Sequence, residues 1–273
     1  MTTRVKPKKH LGQHFLANDD IARRIAATLV SDPEAKMNTL EVGCGTGALT
    51  RHLLQRSDIR LKGIEIDGES IAYLRDNLPA IMPNLYQADF LRSDLRKIFP
   101  EGDIAIIGNF PYNISSQIFF KVLDNKDIVP QVVGMLQKEV AERLASGPGN
   151  KSYGILSVLL QAWYDIEYLF TVGENEFVPP PKVKSAVIRL RRNSRTDLGC
   201  DPTLFKQVVK AAFGQRRKTL RNSLRKLKGD FSTRPDGLGR NDTATVPDKF
   251  AGLRPEQLSV EDFIELTEAL EQP

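Results

Sequence analysis

Four consecutive residues, Asn109-Phe110-Pro111-Tyr112, carry groups suited to one task, the holding of a planar amine. The Asn109 side-chain oxygen and the Phe110 backbone carbonyl can accept the two protons of such an amine. An adenine amine is a poor nucleophile, because its lone pair is delocalised into the ring. Two fixed acceptors would hold it with that lone pair aimed at an electrophile. Pro111 stiffens the turn and has no N–H to compete, and Tyr112 offers a ring face on which a base can stack. The motif contains no histidine to serve as a base, and none is required, since the proton can leave after transfer. Taken alone, the tetrapeptide also reads as an ordinary strand-end turn capped by Asn109.

A second constellation lies upstream. Glu41-Val42-Gly43-Cys44-Gly45-Thr46-Gly47 is a glycine turn of the kind that lets a ligand approach the backbone closely. Glu65 stands 22 positions after Gly43, where a carboxylate can accept from ribose hydroxyls, and Asp89 could accept from an adenine amine. NAD is the competing ligand. Its fingerprint spaces glycines as G-x-G-x-x-G, whereas Gly43, Gly45 and Gly47 alternate, and S-adenosyl-L-methionine has no pyrophosphate to sit on a helix N-terminus. S-adenosyl-L-methionine is therefore the expected cofactor, against the plainer alternative of a turn with two solvated carboxylates. Cys44 reads as a small side chain filling space beside the loop.

These residues need strands to present them. Short strands read at Thr39–Val42, Arg60–Ile66, Asn84–Gln87, Ile104–Gly108 and Val132–Leu136, with helical patterns between them such as Ala48–Gln55 and Glu69–Asn77. A first helix is expected after Asn18, which can cap it. Alternation of this kind predicts an α/β fold with a parallel sheet covered by helices. Two later strands, Ile166–Val172 and Val183–Arg191, are expected to pair antiparallel at one edge, as in Rossmann-like class I methyltransferases. Residues 1–193 then form a catalytic domain that binds the cofactor. After a linker at Asn193–Pro202, residues 201–273 form a small all-helical domain with helices at Leu204–Phe213, Arg216–Leu227 and Val260–Leu270. The stretch Gly229–Asp248 reads as a loop.

Composition narrows the partners. The 273 residues carry a net charge of +5 and 41% hydrophobic residues, with no run long and apolar enough for a membrane span. Two cysteines suggest a reducing compartment, the cytoplasm, and the scattered His and Cys residues give no metal pattern. From Lys206 to Lys228 there are nine Lys or Arg and no Asp or Glu. Arg217, Arg221 and Arg225 would share one side of a helix. Such a run is either a solvated surface or a grip on RNA phosphates, here by Arg216, Arg217, Lys218, Arg221 and Arg225.

The chain as a whole resembles the bacterial small-subunit ribosomal RNA adenine dimethyltransferases, the KsgA/RsmA family, relatives of the eukaryotic Dim-type enzymes. The resemblance rests on Leu11-Gly12-Gln13-His14-Phe15-Leu16, the glycine loop, Asn109–Tyr112 with Asn113-Ile114-Ser115-Ser116, Met135–Val140, Tyr153–Val158, Phe177–Val183 and Gln215–Asn222. It implies that His14 and Leu16 lie at the cofactor together with Gly43, Gly45, Glu65, Asp89 and Asn109. It further implies that Phe177 packs on the target base opposite Tyr112; the residues alone allow instead that Phe177 anchors its Pro-rich turn. The implied substrate is 16S ribosomal RNA in the immature small subunit, dimethylated at two adjacent adenosines of its 3′-terminal hairpin. No membrane and no obligate protein partner is expected. Macrolide-resistance methyltransferases share the first motifs but not usually the Gln215–Asn222 run. A ribosome-assembly checkpoint role and a DNA adenine methyltransferase are the other readings.

Overall fold

The computed structural model describes residues 5–31, 35–225, 227 and 246–271. Nine strands are numbered in chain order: β1 (Phe15–Leu16), β2 (Met37–Val42), β3 (Ile59–Glu65), β4 (Leu85–Gln87), β5 (Ile104–Asn109), β6 (Gln131–Gln137), β7 (Tyr164–Val172), β8 (Phe177–Val178) and β9 (Ser185–Arg192). Helices α1 (Asp19–Ala27), α2 (Thr50–Leu53), α3 (Gly68–Asn77), α4 (Leu95–Ile98), α5 (Ser115–Asp124), α6 (Lys138–Ala145), α7 (Ile155–Gln161), α8 (Pro202–Gly214) and α9 (Leu220–Ser223) are followed by Asp248–Ala251 and Val260–Glu271.

Seven strands form one sheet in the order β4-β3-β2-β5-β6-β9-β7. The first five run parallel, and β9 runs antiparallel to β6. This is the expected Rossmann-like class I methyltransferase sheet with its reversed strand near one edge. β5 explains why the centre is parallel: Ile104 to Ile107 are fully buried, so both faces of the strand must be covered by other elements. From β2 the chain builds outward through β3 and β4, then returns to place β5 on the other side of β2. That reversal makes a switch point, and open α/β sheets bind ligands in the crevice there, beyond the carboxyl ends of the strands. The glycine loop follows β2 and the Asn109 motif ends β5, so both reach the same crevice.

Local chemistry matches the sequence at several ends. The Asn18 side chain accepts from the Ile21 N–H at 3.1 Å and caps α1, whose Ala22, Ile25 and Ala26 are buried. Cys44 is buried, and a Cβ on Gly63 would lie 2.6 Å from its sulfur, so it does fill the space under the loop. The helix expected over Ala48–Gln55 is shorter, with only Thr50–Leu53 helical. A two-stranded piece was not expected: β1 pairs antiparallel with β8, Leu16 opposite Phe177.

The chain divides into two compact units, Met1–Ala141 with Asp165–Arg192, and Glu142–Tyr164 with Asn193–Pro273. The first holds the sheet. The second contains more than residues 201–273, since Glu142–Tyr164 belongs to it. Within that unit the rings of Tyr153, Phe213 and Phe263 join its helices, Tyr153 edge-on to Phe213 at 6.0 Å and Phe213 stacked on Phe263 at 5.9 Å. Asp201 caps α8 by accepting from the Thr203 N–H at 2.7 Å. The expected helix Arg216–Leu227 is broken. Thr219 is extended (φ −69°, ψ 157°) and serves as the N-cap residue of the short α9, while Arg217 lies in the preceding turn. The Leu220 N–H is drawn to the Leu253 carbonyl at 2.8 Å, which competes with continuation of the helix. Arg217, Arg221 and Arg225 therefore do not line one helix. Most of the expected loop Gly229–Asp248 lies outside the described residues.

Candidate active site

One cavity of about 230 Å³ opens at the switch point of the first unit. Its walls include His14, Gly43, Gly45, Glu65, Asp89, Asn109, Phe110 and Tyr112, which lie in five separate segments of the sequence. Each is positioned by its own element. Gly43 and Gly45 have positive φ (76° and 53°), which bends the chain away from the end of β2 at little steric cost. A Cβ on Gly43 would meet nothing within 4 Å, so the backbone there faces open space.

Glu65 ends β3 and is buried, at 5% exposure. Its carboxylate accepts from three backbone N–H groups, Gly45, Ile66 and Asp67, each at 2.8 Å. These bonds aim it and stabilise its charge, while burial pushes its pKa the other way, upward. Asp89 accepts from the Leu91 N–H at 2.9 Å through one oxygen and faces the exposed Arg92 with the other. Ile66, half exposed, adds an apolar side chain to the lining of the same cavity.

Asn109, at the end of β5, also lines the cavity. Its amide nitrogen donates to the His14 carbonyl at 2.8 Å. A carbonyl can only accept, so this bond fixes which way the amide faces and leaves Oδ1 as the free acceptor. Phe110 is buried, and its N–H donates to the Met135 carbonyl at 2.9 Å, which ties the motif to β6. The Tyr112 hydroxyl bonds Ser185, and its ring stacks on the His14 imidazole, centroids 5.4 Å apart. Burial pushes the Tyr112 pKa up, so the phenol is neutral at ordinary pH.

The structure brings histidine to a place where the tetrapeptide had none. His14 and His10 both line the cavity, and Nδ1 of His14 lies 2.9 Å from the Pro179 carbonyl. Leu16, for which the resemblance implies a backbone contact to the cofactor, and Phe177 are not among the residues that line this cavity, although Phe15 beside Leu16 is. Leu16 and Phe177 face each other across β1 and β8, at 5% and 2% exposure, inside the core of the first unit. The Phe177 ring is buried here and is not part of the cavity lining.

Sequence reasoning missed the residues that hold the segment Lys8–His14 against the site. Lys8 pairs with Asp67 and, at 3.2 Å, with Glu69. Gln13 donates to Asp67 at 3.2 Å, and Asn113 donates to the His10 carbonyl at 3.1 Å. Gly12 has φ 64°, which favours glycine, and a Cβ there would stand 2.5 Å from Asn113 Oδ1. Lys8 and Asp67 are 59 positions apart, and no local pattern announces their pairing.

Of the five basic residues expected on RNA, Arg217, Lys218, Arg221 and Arg225 are exposed in the second unit. Arg216 is only partly exposed, lies 3.7 Å from Glu256 and donates to the Asn150 carbonyl at 3.4 Å. Arg221 lies 3.6 Å from Asp248, a pair exposed on both sides and therefore weak. The run is thus partly neutralised by carboxylates from later in the chain. Among the described residues no group of three or more His, Cys, Asp or Glu could hold a metal, and no helix is long and apolar enough to cross a membrane.

A profile of the family described as "Ribosomal RNA adenine dimethylase" matches residues 4–248. The chain belongs to the ribosomal RNA adenine dimethylase family. It is accordingly an rRNA-modifying methyltransferase. The chain is 58% identical to the ribosomal RNA small subunit methyltransferase A of Parabacteroides distasonis over 96% of its own length and 93% of the relative's. Among solved structures it is similar to a dimethyladenosine transferase from Plasmodium falciparum, at 25% identity and a TM-score of 0.75 over 93% of this chain and 96% of that one. It is also similar to the 23S rRNA methyltransferase ErmE, at 27% identity and a TM-score of 0.64 over 94% and 100%.

Two measurements check the site. Glu65→Ala should weaken S-adenosylmethionine binding by about 1.5–3 kcal/mol, the scale of a lost charged hydrogen bond; calorimetry at wild-type affinity would remove Glu65 from the site. Glu41, at the end of β2, is buried without a partner for one oxygen, and burial pushes its pKa from 4.5 up to about 7. A carboxyl that holds its proton more tightly when folded stabilises the fold at low pH. That contribution is lost as pH rises through the window from 4.5 to about 7. Denaturation of Glu41→Gln should show a flatter stability profile across this window than wild type, and parallel profiles would contradict the assignment.

Proposed function

We propose that this chain transfers methyl groups from S-adenosyl-L-methionine to the exocyclic amines of two adjacent adenosines in the 3′-terminal hairpin of 16S rRNA, within the maturing small subunit in the cytoplasm. The observation that carries the reading is the fixed Asn109 amide, whose free oxygen shares one cavity with Glu65 and Asp89. The cavity suits the cofactor. Open backbone at Gly43 leaves room for a ligand chain, Glu65 offers an oriented carboxylate for ribose hydroxyls, and Asp89 has an oxygen available for an adenine amine. When bound, S-adenosylmethionine supplies an electrophilic methyl group.

The residues of the chain do the rest. Asn109 Oδ1 and the Phe110 carbonyl accept the two amine protons and turn the nitrogen lone pair towards the methyl donor. Tyr112 offers its ring to the base, against which His14 now rests. His14 Nδ1 faces a carbonyl and must be its donor, so that nitrogen takes no proton from the substrate. The proton leaves after transfer, when the amine has become a cation and a strong acid.

The small subunit is favoured over the large by the relatives: proteins 53–58% identical over nearly the full chain carry the small-subunit name, against 27% identity for the 23S enzyme. Exposed Arg217, Lys218, Arg221 and Arg225 supply charge for rRNA phosphates, contacts that position a substrate without reading bases.

Asn109→Ala should keep cofactor binding largely intact and lose transfer by roughly 100-fold or more, measured on small subunits from cells lacking the protein. Normal turnover in a folded variant would refute the role. Replacing Arg217, Arg221 and Arg225 with Gln should weaken subunit binding and lower its log–log salt slope by roughly two, if each contacts one phosphate. Unchanged slopes would mark these residues as solvated surface.

A further inference from the structure

Phe110 is held in a notch that two glycines cut into the sheet. Gly108 on β5 and Gly134 on β6 are direct partners in the parallel ladder. Neither has positive φ, so neither is there for backbone freedom. Glycine inside a strand weakens it and leaves nothing to pack, which points to a demand for space. The demand is the Phe110 ring. A Cβ on Gly134 would collide with Cε2 of that ring and lie 2.9 Å from Cδ2 and 3.3 Å from Cζ. A Cβ on Gly108 would lie 2.9 Å from Cε1 of the same ring, and also 2.5 Å from the Val42 carbonyl oxygen. The ring of Phe119 on α5 closes the notch, edge-on at 5.9 Å.

The seat matters because Pro111 comes directly after Phe110. The peptide unit carrying the Phe110 carbonyl therefore has no N–H and cannot be anchored from its far side. Its direction is set by the Phe110 N–H on Met135 and by the seating of the ring. We propose that Gly134 is a positioning residue for methyl transfer: by admitting the Phe110 ring it sets the direction of the carbonyl that receives the target amine. The inference rests on the amine-holding role of that carbonyl in the proposed function.

The two glycines respond differently to repair, and that difference is the test. The three atoms nearest a Cβ on Gly134 all belong to the ring, and Phe110→Leu, which removes Cε2 and Cζ, relieves the closest of them. Gly108→Ala also meets a backbone oxygen, so Phe110→Leu does not relieve it. Steady-state transfer to unmodified small subunits is measured with cofactor affinity by calorimetry and thermal midpoints in parallel. Gly134→Ala should lower kcat roughly 10- to 100-fold, the cost of about an ångström of misplacement, with cofactor affinity unchanged. The Phe110→Leu/Gly134→Ala double variant should recover the kcat of Phe110→Leu alone, and Phe110→Leu/Gly108→Ala should not recover. A Gly134→Ala protein with wild-type kcat would overturn the proposal, as would a double variant that regains thermal stability but not kcat. Should Gly134→Ala fail to fold, Phe110→Ala tests the same seat by emptying it; unchanged kcat there also overturns the proposal. An inactive wild type defeats the proposed function and this inference with it, while an active wild type with an unimpaired Gly134→Ala defeats the inference alone.

Discussion

The hydrogen bond from the Asn109 amide to the His14 carbonyl joins the two halves of this site. It spans 95 positions of sequence and 2.8 Å of space. One end determines which way an asparagine faces, and hence whether the cavity offers an acceptor or a donor. The other end belongs to the N-terminal segment that walls the cavity. An acceptor at this point suits an amine; a donor would repel it. The bond is short-range and directional, so it holds only if β5 and the segment before β1 are both in place.

Both are placed by longer-range forces. β5 is locked by burial at the centre of the sheet, and the glycine loop and Glu65 come with the neighbouring strands. The N-terminal segment has little apolar surface of its own. Polar contacts hold it instead, Lys8 and Gln13 to Asp67 and Asn113 to the His10 carbonyl, with Leu16 inserted into the core opposite Phe177. A wall built on polar contacts opens at lower cost than a wall of packed strands. This division, a rigid acceptor floor with a polar-tethered wall, suits a site that must admit a nucleotide base.

The sheet was legible because its strands are apolar runs punctuated by glycine, asparagine and acids, and because parallel strands alternate with helices. The cavity residues of β2, β3, β4 and β5 were legible for the same reason: each stands at a strand's carboxyl end. What the sequence concealed has no period. Two-residue strands such as Phe15–Leu16 leave no alternation to detect, so the pairing of Leu16 with Phe177 could not be seen. The approach of His14 to Tyr112 depends on that same hidden pairing. The break at Thr219 was hidden because its cause, the Leu253 carbonyl, lies far along the chain. Apolar spacing within Arg216–Leu227 fits a helix equally well with or without that carbonyl. The grouping of residues 142–164 with the C-terminal helices is likewise set by contacts distant in sequence, among them Tyr153 on Phe213.

The central claim is that the cavity holds an exocyclic amine between two oxygen acceptors, and the site of the transferred methyl group tests it most directly. Unmodified small subunits are incubated with the protein and isotopically labelled S-adenosylmethionine, the rRNA is digested to nucleosides, and the products are separated by mass. The account predicts label only on the exocyclic nitrogen of adenosine, first as the monomethyl and then as the dimethyl product. Label on a ring nitrogen, a carbon or a ribose oxygen would contradict it, because none of those atoms is an amine nitrogen with N–H groups for Asn109 and Phe110 to hold, two before the first transfer and one before the second.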